Sequence, residues 1–296
     1  MRCAFSQVVA LVLACGAFGA AADQASAVRP ASERAAPMEA TVDLELVLAV
    51  DISYSMDPDE QALQREGYVA ALTSPEFLSA LRAGQHGRIV ATYIEWAGAA
   101  EQHVIVPWQV IDGRQSAEAF GQAITAAPYH RAYRTSISGV LQFAAPLFDA
   151  SGHRGLRRVI DVSGDGANNQ GLMVTLARDE VLAKGITING LPIVLKRPVP
   201  ATMDISNLDI YYEDCVIGGP AAFVIPIKDR AQFKEATRVK LVLEVAGHAL
   251  GAVAGIPASG GQATPRALPP VRPVSAHAPR VSCTIGEQLW EQRWGP

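Results

Sequence analysis

The stretch Val42-Asp43-Leu44-Glu45-Leu46-Val47-Leu48-Ala49-Val50 restricts this chain more than any other. An apolar, β-branched run of this kind predicts a strand buried on both faces, the situation of strands in a parallel sheet covered by helices. It ends in Asp51, and Asp57-Pro58-Asp59-Glu60 follows as a helix start. Asp57 is placed to cap, Pro58 to occupy the first helical position, and Glu60 to close a capping box. A helix is expected from there to about Thr73, with a second reaching Ala83.

The same rhythm continues. Ile89 to Trp96 and His103 to Ile111 predict two strands close enough to form a hairpin, with Trp96 and Trp108 packed together across it. Ser116 to Ala127, Ser136 to Phe148 and Leu172 to Lys184 read as helices, Arg158 to Ser163 and Ile186 to Val194 as strands. Ala222 to Ile227 gives a last strand and Ala231 to Ala246 a last helix, with Phe233, Ala236, Val239 and Leu243 at helical spacing. Alternating strands and helices predict an α/β fold: a Rossmann-like three-layer sandwich, its mainly parallel central sheet carrying helices on both faces.

A hydrophobic fraction of 49% and a mean hydropathy of +0.15 suffice for a packed core. Lys and Arg total 25 against 29 Asp and Glu with no basic run, so a nucleic-acid partner is not expected. Residues 1–22 read as a secretory signal peptide: Arg2, an apolar centre from Val8 to Ala14, and Ala20-Ala21-Ala22 before the cleavage point. The mature protein is then expected in the periplasm or outside the cell. Val12-Leu13-Ala14-Cys15 offers a rival lipoprotein box that would anchor the chain through Cys15. Residues 23–40 have leader composition, 41–247 the folded domain, 248–282 a Pro/Gly/Ala-rich linker, and 283–296 a tail that regains Leu289, Trp290 and Trp294. Leu241 to Ile256 is too short and polar for a membrane span, so no transmembrane helix is expected in the mature chain. Cys215 and Cys283 are the mature chain's cysteines; in an oxidising compartment they suggest one disulfide docking the tail, the alternative being two buried thiols.

Three pieces fall where a parallel strand ends or a loop meets a helix, the edge at which α/β sheets bind ligands. They are Asp51-Ile52-Ser53-Tyr54-Ser55, Thr135, and Asp165 in Ser163-Gly164-Asp165-Gly166. Two carboxylates and three hydroxyls form an all-oxygen donor set, suited to a hard divalent cation such as Mg²⁺, with Mn²⁺ or Ca²⁺ as alternatives. One coordination position is left for an oxygen from a partner.

Asp51, Ser53, Ser55, Thr135 and Asp165 together resemble the metal-ion-dependent adhesion site of von Willebrand factor type A domains: Asp-x-Ser-x-Ser, then a distant Thr, then a distant Asp. Tyr93-Ile94-Glu95-Trp96, Val106-Pro107-Trp108, the run from Ile160 to Gly166 with Asn168-Asn169, and the run from Gly185 to Pro192 are similar to a secreted bacterial branch of that superfamily, known only as a domain of unknown function. The resemblance covers roughly residues 42 to 246. It implies that Ser53 and Ser55 ligate the ion directly, that Asp51 and Asp165 act mostly through water, and that Thr135 joins when ligand is bound. It further implies a non-enzymatic protein-binding module that recognises an acidic group of a partner protein.

The remaining candidates read as structural. Asp161, inside an apolar strand, needs a partner such as Arg157, Arg158 or a backbone turn, and Glu95 invites the same reading. Asp209, Glu213 and Asp214 beside Tyr211 and Tyr212 read as a solvated loop before a second cation site. The Asp165 to Gly171 loop fails EF-hand spacing at Ala167 and Gln170. Ser163 lacks the glycines of a hydrolase elbow, no two histidines have metalloprotease spacing, and no phosphate-cradling loop is present. Two other function classes stay open: metal-assisted hydrolysis with Asp51 or Asp165 as base to a bound water, and a metal-independent envelope scaffold.

Overall fold

The computed structural model describes residues 40–195, 203–247, 269–274 and 278–295. The expected signal peptide, the Cys15 anchor, nearly all of the leader and most of the linker lie outside the described residues.

The central strand is β2 (Glu45–Asp51), buried at every position. Its side chains alternate between two cores: Leu46, Leu48 and Val50 pack into one, Val47 and Ala49 into the other. That alternation makes the molecule three-layered. A short β1 (Ala40–Val42) pairs separately with β5 (His153–Gly155). The main sheet contains β3 (Ile89–Trp96), β4 (Gln102–Ile111), β6 (Arg158–Gly164), β7 (Thr187–Pro192), β8 (Phe223–Val224) and β9 (Arg272–Pro273), in the order β4-β3-β2-β6-β7-β8-β9. Strands β3, β2, β6, β7 and β8 run parallel; β4 and β9 are antiparallel edges.

One face is covered by α1 (Pro58–Leu72), α2 (Pro75–Ala83), α3 (Arg114–Ala126) and α7 (Phe233–Ala246), through Tyr68, Phe77, Phe120 and Phe233. The other carries α4 (Ile137–Ala144), α5 (Val174–Ala183) and α6 (Leu208–Tyr211), through Leu141, Val181 and Tyr211. At the start of α1, the Glu60 N–H donates to Asp57 Oδ1 at 2.7 Å and the Asp57 N–H to Glu60 Oε2 at 2.9 Å, a complete capping box. No described helix is long and apolar enough to cross a membrane.

Several expectations need correction. The helix expected over 136–148 stops at Ala144 and continues as a 3₁₀ turn over Ala145–Ala150, because Pro146 has no N–H to extend the α-helix. The last strand shrinks to two residues, although Ile225 and Ile227 still donate to the Gly190 and Pro192 carbonyls at 3.1 and 2.9 Å. Trp96 lies opposite Gln102, while Trp108 packs on Phe148 with centroids 5.6 Å apart, so the two tryptophans do not pair. Asp161 takes neither arginine: Lys240 of α7 approaches it at 3.0 Å as an ion pair, with Glu244 at 3.1 Å from the same ammonium. Asn189 then donates to both Glu244 oxygens at 2.8 Å, so this fully buried group ties β6 and β7 to α7. Glu95 is held by Arg65 at 2.7 Å.

The acidic residues expected in a solvated loop sit instead on α6 and the helical turn Tyr212–Val216, paired to arginine and lysine. Asp209 meets Lys228 at 2.8 Å and Arg272 at 3.1 Å, and Arg280 meets Glu213 at 2.9 Å and Asp214 at 2.8 Å. Arg272 belongs to β9, so part of the expected linker is an edge strand of the sheet. Beyond it, the Cys215–Cys283 disulfide fixes the start of α8 (Ile285–Trp294) to the body of the domain.

Candidate metal centre at the sheet edge

Asp51 is the last residue of β2 and is fully buried. The chain bends immediately after it, and the Ser53 N–H donates to Asp51 Oδ1 at 2.7 Å. This local turn presents the Ser53 and Ser55 hydroxyls to one another at 2.7 Å. Ser55 Oγ donates in turn to Asp165 Oδ1 at 2.6 Å. Asp165 lies just beyond β6, the neighbour of β2, so two adjacent parallel strands deliver the two carboxylates to one point.

Helix α1 fixes the turn from the other side. Gln64 Nε2 donates to the Asp51 carbonyl at 3.2 Å and Ser163 Oγ to Gln64 Oε1 at 3.2 Å. The loop before α4 is joined to the turn by backbone bonds between Tyr54 and Ala132 and between Ala132 and Ile52, at 2.9 and 3.3 Å. It carries Thr135, whose N–H donates to Asn169 Oδ1 at 3.0 Å while the Asn169 N–H returns a bond to the Thr135 carbonyl at 2.8 Å. Thr135 thus shares a cleft with Ser53 and Ser55. Asp51, Ser53, Ser55 and Asp165 form a continuous bonded chain, and Thr135 faces the same cleft from across it.

The electrostatics are those of a site short of positive charge. Burial, and secondarily the neighbouring Asp165 charge, push the Asp51 carboxyl up to about 8, against the Ser53 hydrogen bonds and the Asp165 backbone N–H that lower it. Asp51 Oδ2 has no hydrogen-bond partner among the described residues, and neither does the Tyr212 hydroxyl. The space around Oδ2 depends on a glycine, since a Cβ on Gly164 would lie 2.8 Å from it. No three of His, Cys, Asp and Glu gather into a metal cluster among the described residues. The donors here are two carboxylates with hydroxyls. A buried, unpaired carboxylate oxygen within an all-oxygen set fits a hard divalent cation, which Asp51, Ser53, Ser55, Thr135 and Asp165 would hold.

Three surroundings of the site lie beyond the sequence motif. Asn168, fully buried, accepts the Ser138 N–H at 2.9 Å and donates to Glu287 of α8 at 2.7 Å, linking the Asp165 loop to the tail. Arg134 has φ of 77°, a left-handed conformation that costs a non-glycine residue about 1 kcal/mol. Trp290 and Trp294 reach the cleft only because α8 is docked. Cys215 and Cys283, paired as the sequence suggested, are the signal that pointed to that docking.

A parallel-centred sheet with helices on both faces and this motif at its carboxyl edge define the von Willebrand factor type A fold, and the chain has it. Residues 41–249 match the family described as Protein of unknown function (DUF1194), and the chain belongs to that family. No curated protein matches the chain. Among solved structures it is similar to proximal thread matrix protein 1 from the mussel byssus, at 13% identity and a TM-score of 0.50, covering 70% of this chain and 49% of that one. It is also similar to the pilus adhesin SpaC from Lactobacillus rhamnosus GG, at 11% identity and a TM-score of 0.50, covering 69% of this chain and 31% of that one. A von Willebrand factor type A protein from Catenulispora acidiphila matches at 17% identity and a TM-score of 0.48, with 69% and 43% covered. The chain therefore spans half or less of each of these proteins, and the likeness is one of fold.

Proposed function

We propose that this protein is an exported, non-enzymatic binding module that holds one divalent cation, Mg²⁺ or a similar ion, at Asp51, Ser53, Ser55, Thr135 and Asp165. The ion in turn accepts an acidic side chain of a partner protein. The observation that carries this reading is Asp51 Oδ2: buried, without a hydrogen-bond partner among the described residues, and within an all-oxygen cluster at the ligand-binding edge of the sheet. Leaving that one buried oxygen without a partner costs about 1–3 kcal/mol, and a cation removes that cost. The disulfide supports an oxidising compartment outside the cytoplasm. A binding role, rather than catalysis, is supported by the half-exposed and exposed aromatic side chains of Tyr54 and Tyr133 beside the cluster, which suit a contact surface. The likeness to a pilus adhesin and a byssal matrix protein agrees with that role.

The test is calorimetric titration of Mg²⁺ and Mn²⁺ into metal-stripped protein, beside an Asp51→Ala/Asp165→Ala variant whose folding is checked by circular dichroism. One-to-one binding in the wild type, lost in the variant, is the expected result. No binding to the wild type at millimolar metal would overturn the reading.

A further inference from the structure

Ser53, Ser55 and Thr135 of the cluster line one part of a cleft of about 660 Å³, with Asp51 and Asp165 bonded behind them. A carboxylate joining the metal would fill a small part of it, since a water in the liquid takes up only about 30 Å³. What surrounds the remainder is two stacks of aromatic rings, each ended by an arginine. On one side Arg131 lies over the Tyr54 ring at 4.6 Å and Tyr54 stacks on Tyr133 at 4.4 Å. On the other Arg134 lies over the Trp290 ring at 3.0 Å and Trp290 stacks on Trp294 at 4.2 Å.

The second stack exists because α8 is fixed in place at several points. The disulfide anchors its start, Glu287 accepts from Asn168, and Arg280 just before it pairs with Glu213 and Asp214. Gly286 sits so close to the Asp165 loop that a Cβ would stand 2.0 Å from the Asn168 carbonyl oxygen, so the helix backbone itself packs there. A tail this firmly held presents its outer aromatic groups in a defined position. Yet Trp294 remains 52% exposed and Tyr133 74% exposed, unlike the aromatic rings of the core. Large aromatic groups left half-wet around a polar centre are the usual anchors of a recognition surface. Arg134, which lines the cleft together with Asp204, supplies a cation beside the cluster that is complementary to an acidic ligand.

We infer that α8 is one wall of the recognition cleft, and that the partner segment bound there carries an aromatic side chain next to the acidic side chain that meets the metal. This rests on the metal-site reading above and specifies its ligand. Trp290 and Trp294 set the aromatic preference, the cluster sets the requirement for acid, and the disulfide keeps the two in register.

The probes are two carboxylates, propionate and 3-phenylpropionate, titrated in saturating Mg²⁺ and in chelator and followed by ligand-observed NMR. The proteins are the full-length mature wild type, Asp51→Ala, Trp290→Ala and Trp294→Ala, with unchanged Mg²⁺ isotherms showing that both tryptophan variants fold. The expected result is Mg²⁺-dependent binding of both acids, with the phenyl compound about tenfold tighter through ring burial. That advantage is expected to shrink to within about twofold in the tryptophan variants while propionate is unaffected. Equal, Mg²⁺-dependent affinity for the two acids in the wild type would overturn the aromatic wall and leave the metal site standing. An aryl preference that persists in chelator or in Asp51→Ala would overturn the coupling of the two halves. Failure of the wild type to bind Mg²⁺ at all would overturn the metal reading, and this inference with it.

Discussion

Asp51→Asn is expected to stabilise the metal-free protein at alkaline pH, although it destroys the proposed ligand set. The Asp51 carboxyl is raised by burial and by Asp165 from 3.8 to about 8. The folded state therefore holds a proton that the unfolded state releases near pH 4. Because the native form binds more protons across that interval, stability is fully present below about pH 4 and is lost as pH rises towards 8. A tenfold difference in proton affinity between the two states is worth about 1.4 kcal/mol, so the full interval costs of order 5 kcal/mol. Asparagine keeps an oxygen for the Ser53 N–H and carries no charge, so the variant's stability lacks this slope. The assay is urea unfolding in chelator at pH 5, 6.5 and 8. Wild type and variant are expected to diverge with pH, the variant being more stable by several kcal/mol at pH 8. Mg²⁺ at a hundred times its Kd is expected to narrow that gap by roughly half, because it adds about 2.7 kcal/mol to the wild type alone. Parallel pH profiles in chelator, or a wild type more stable than Asp51→Asn at pH 8, would refute the reasoning.

Three further outcomes follow from particular contacts. Lys240→Met leaves Asp161 and Glu244 buried without their shared cation and is expected to cost about 3–5 kcal/mol in urea unfolding. The loss is greater at pH 8 than at pH 5, because Asp161, raised by burial to about 7 even with Lys240 in place, can take a proton at the lower pH. Gly164→Ala drives a methyl group against Asp51 Oδ2 and is expected to weaken Mg²⁺ binding about tenfold or more by calorimetry, with the domain still folded. Cys283→Ser opens a cross-link between residues 68 apart and lowers stability by up to about 4 kcal/mol on the chain-entropy scale. Mg²⁺ affinity is expected to stay within a few-fold, since all five proposed ligands lie outside the tail.

The parts of this molecule that were legible in its sequence are those set by local chemistry. A strand buried on both faces needs apolar residues throughout, so β2 declares itself, and the Asp57–Glu60 box declares the start of α1. Asp51 and Asp165 were legible for the same reason: each follows an apolar strand, and adjacent parallel strands bring their ends together without further information. Lys240 was not legible as the partner of Asp161, because that pairing depends on how α7 lies on the sheet and no periodicity encodes it. The acidic residues at 209, 213 and 214 read as a solvated loop because their arginines arrive from β9 and the tail. Those segments are rich in proline and glycine, a composition shared by linkers and by irregular chain pinned from outside. Trp290 and Trp294 were visible as apolar residues in a tail, but their place beside Ser53, Ser55 and Thr135 depends on the Cys215–Cys283 bridge and on the close contact at Gly286.

The central claim, that a divalent cation is held between the turn after β2 and the loop after β6, is tested most directly by crystals of the protein grown with Mn²⁺. Anomalous diffraction at the manganese edge is expected to give one strong peak within about 2.3 Å of the Ser53 and Ser55 hydroxyl oxygens, with Asp51 and Asp165 bonded directly or through one water. Well-ordered crystals at millimolar Mn²⁺ with no peak there, or with the only peak elsewhere, would contradict the account.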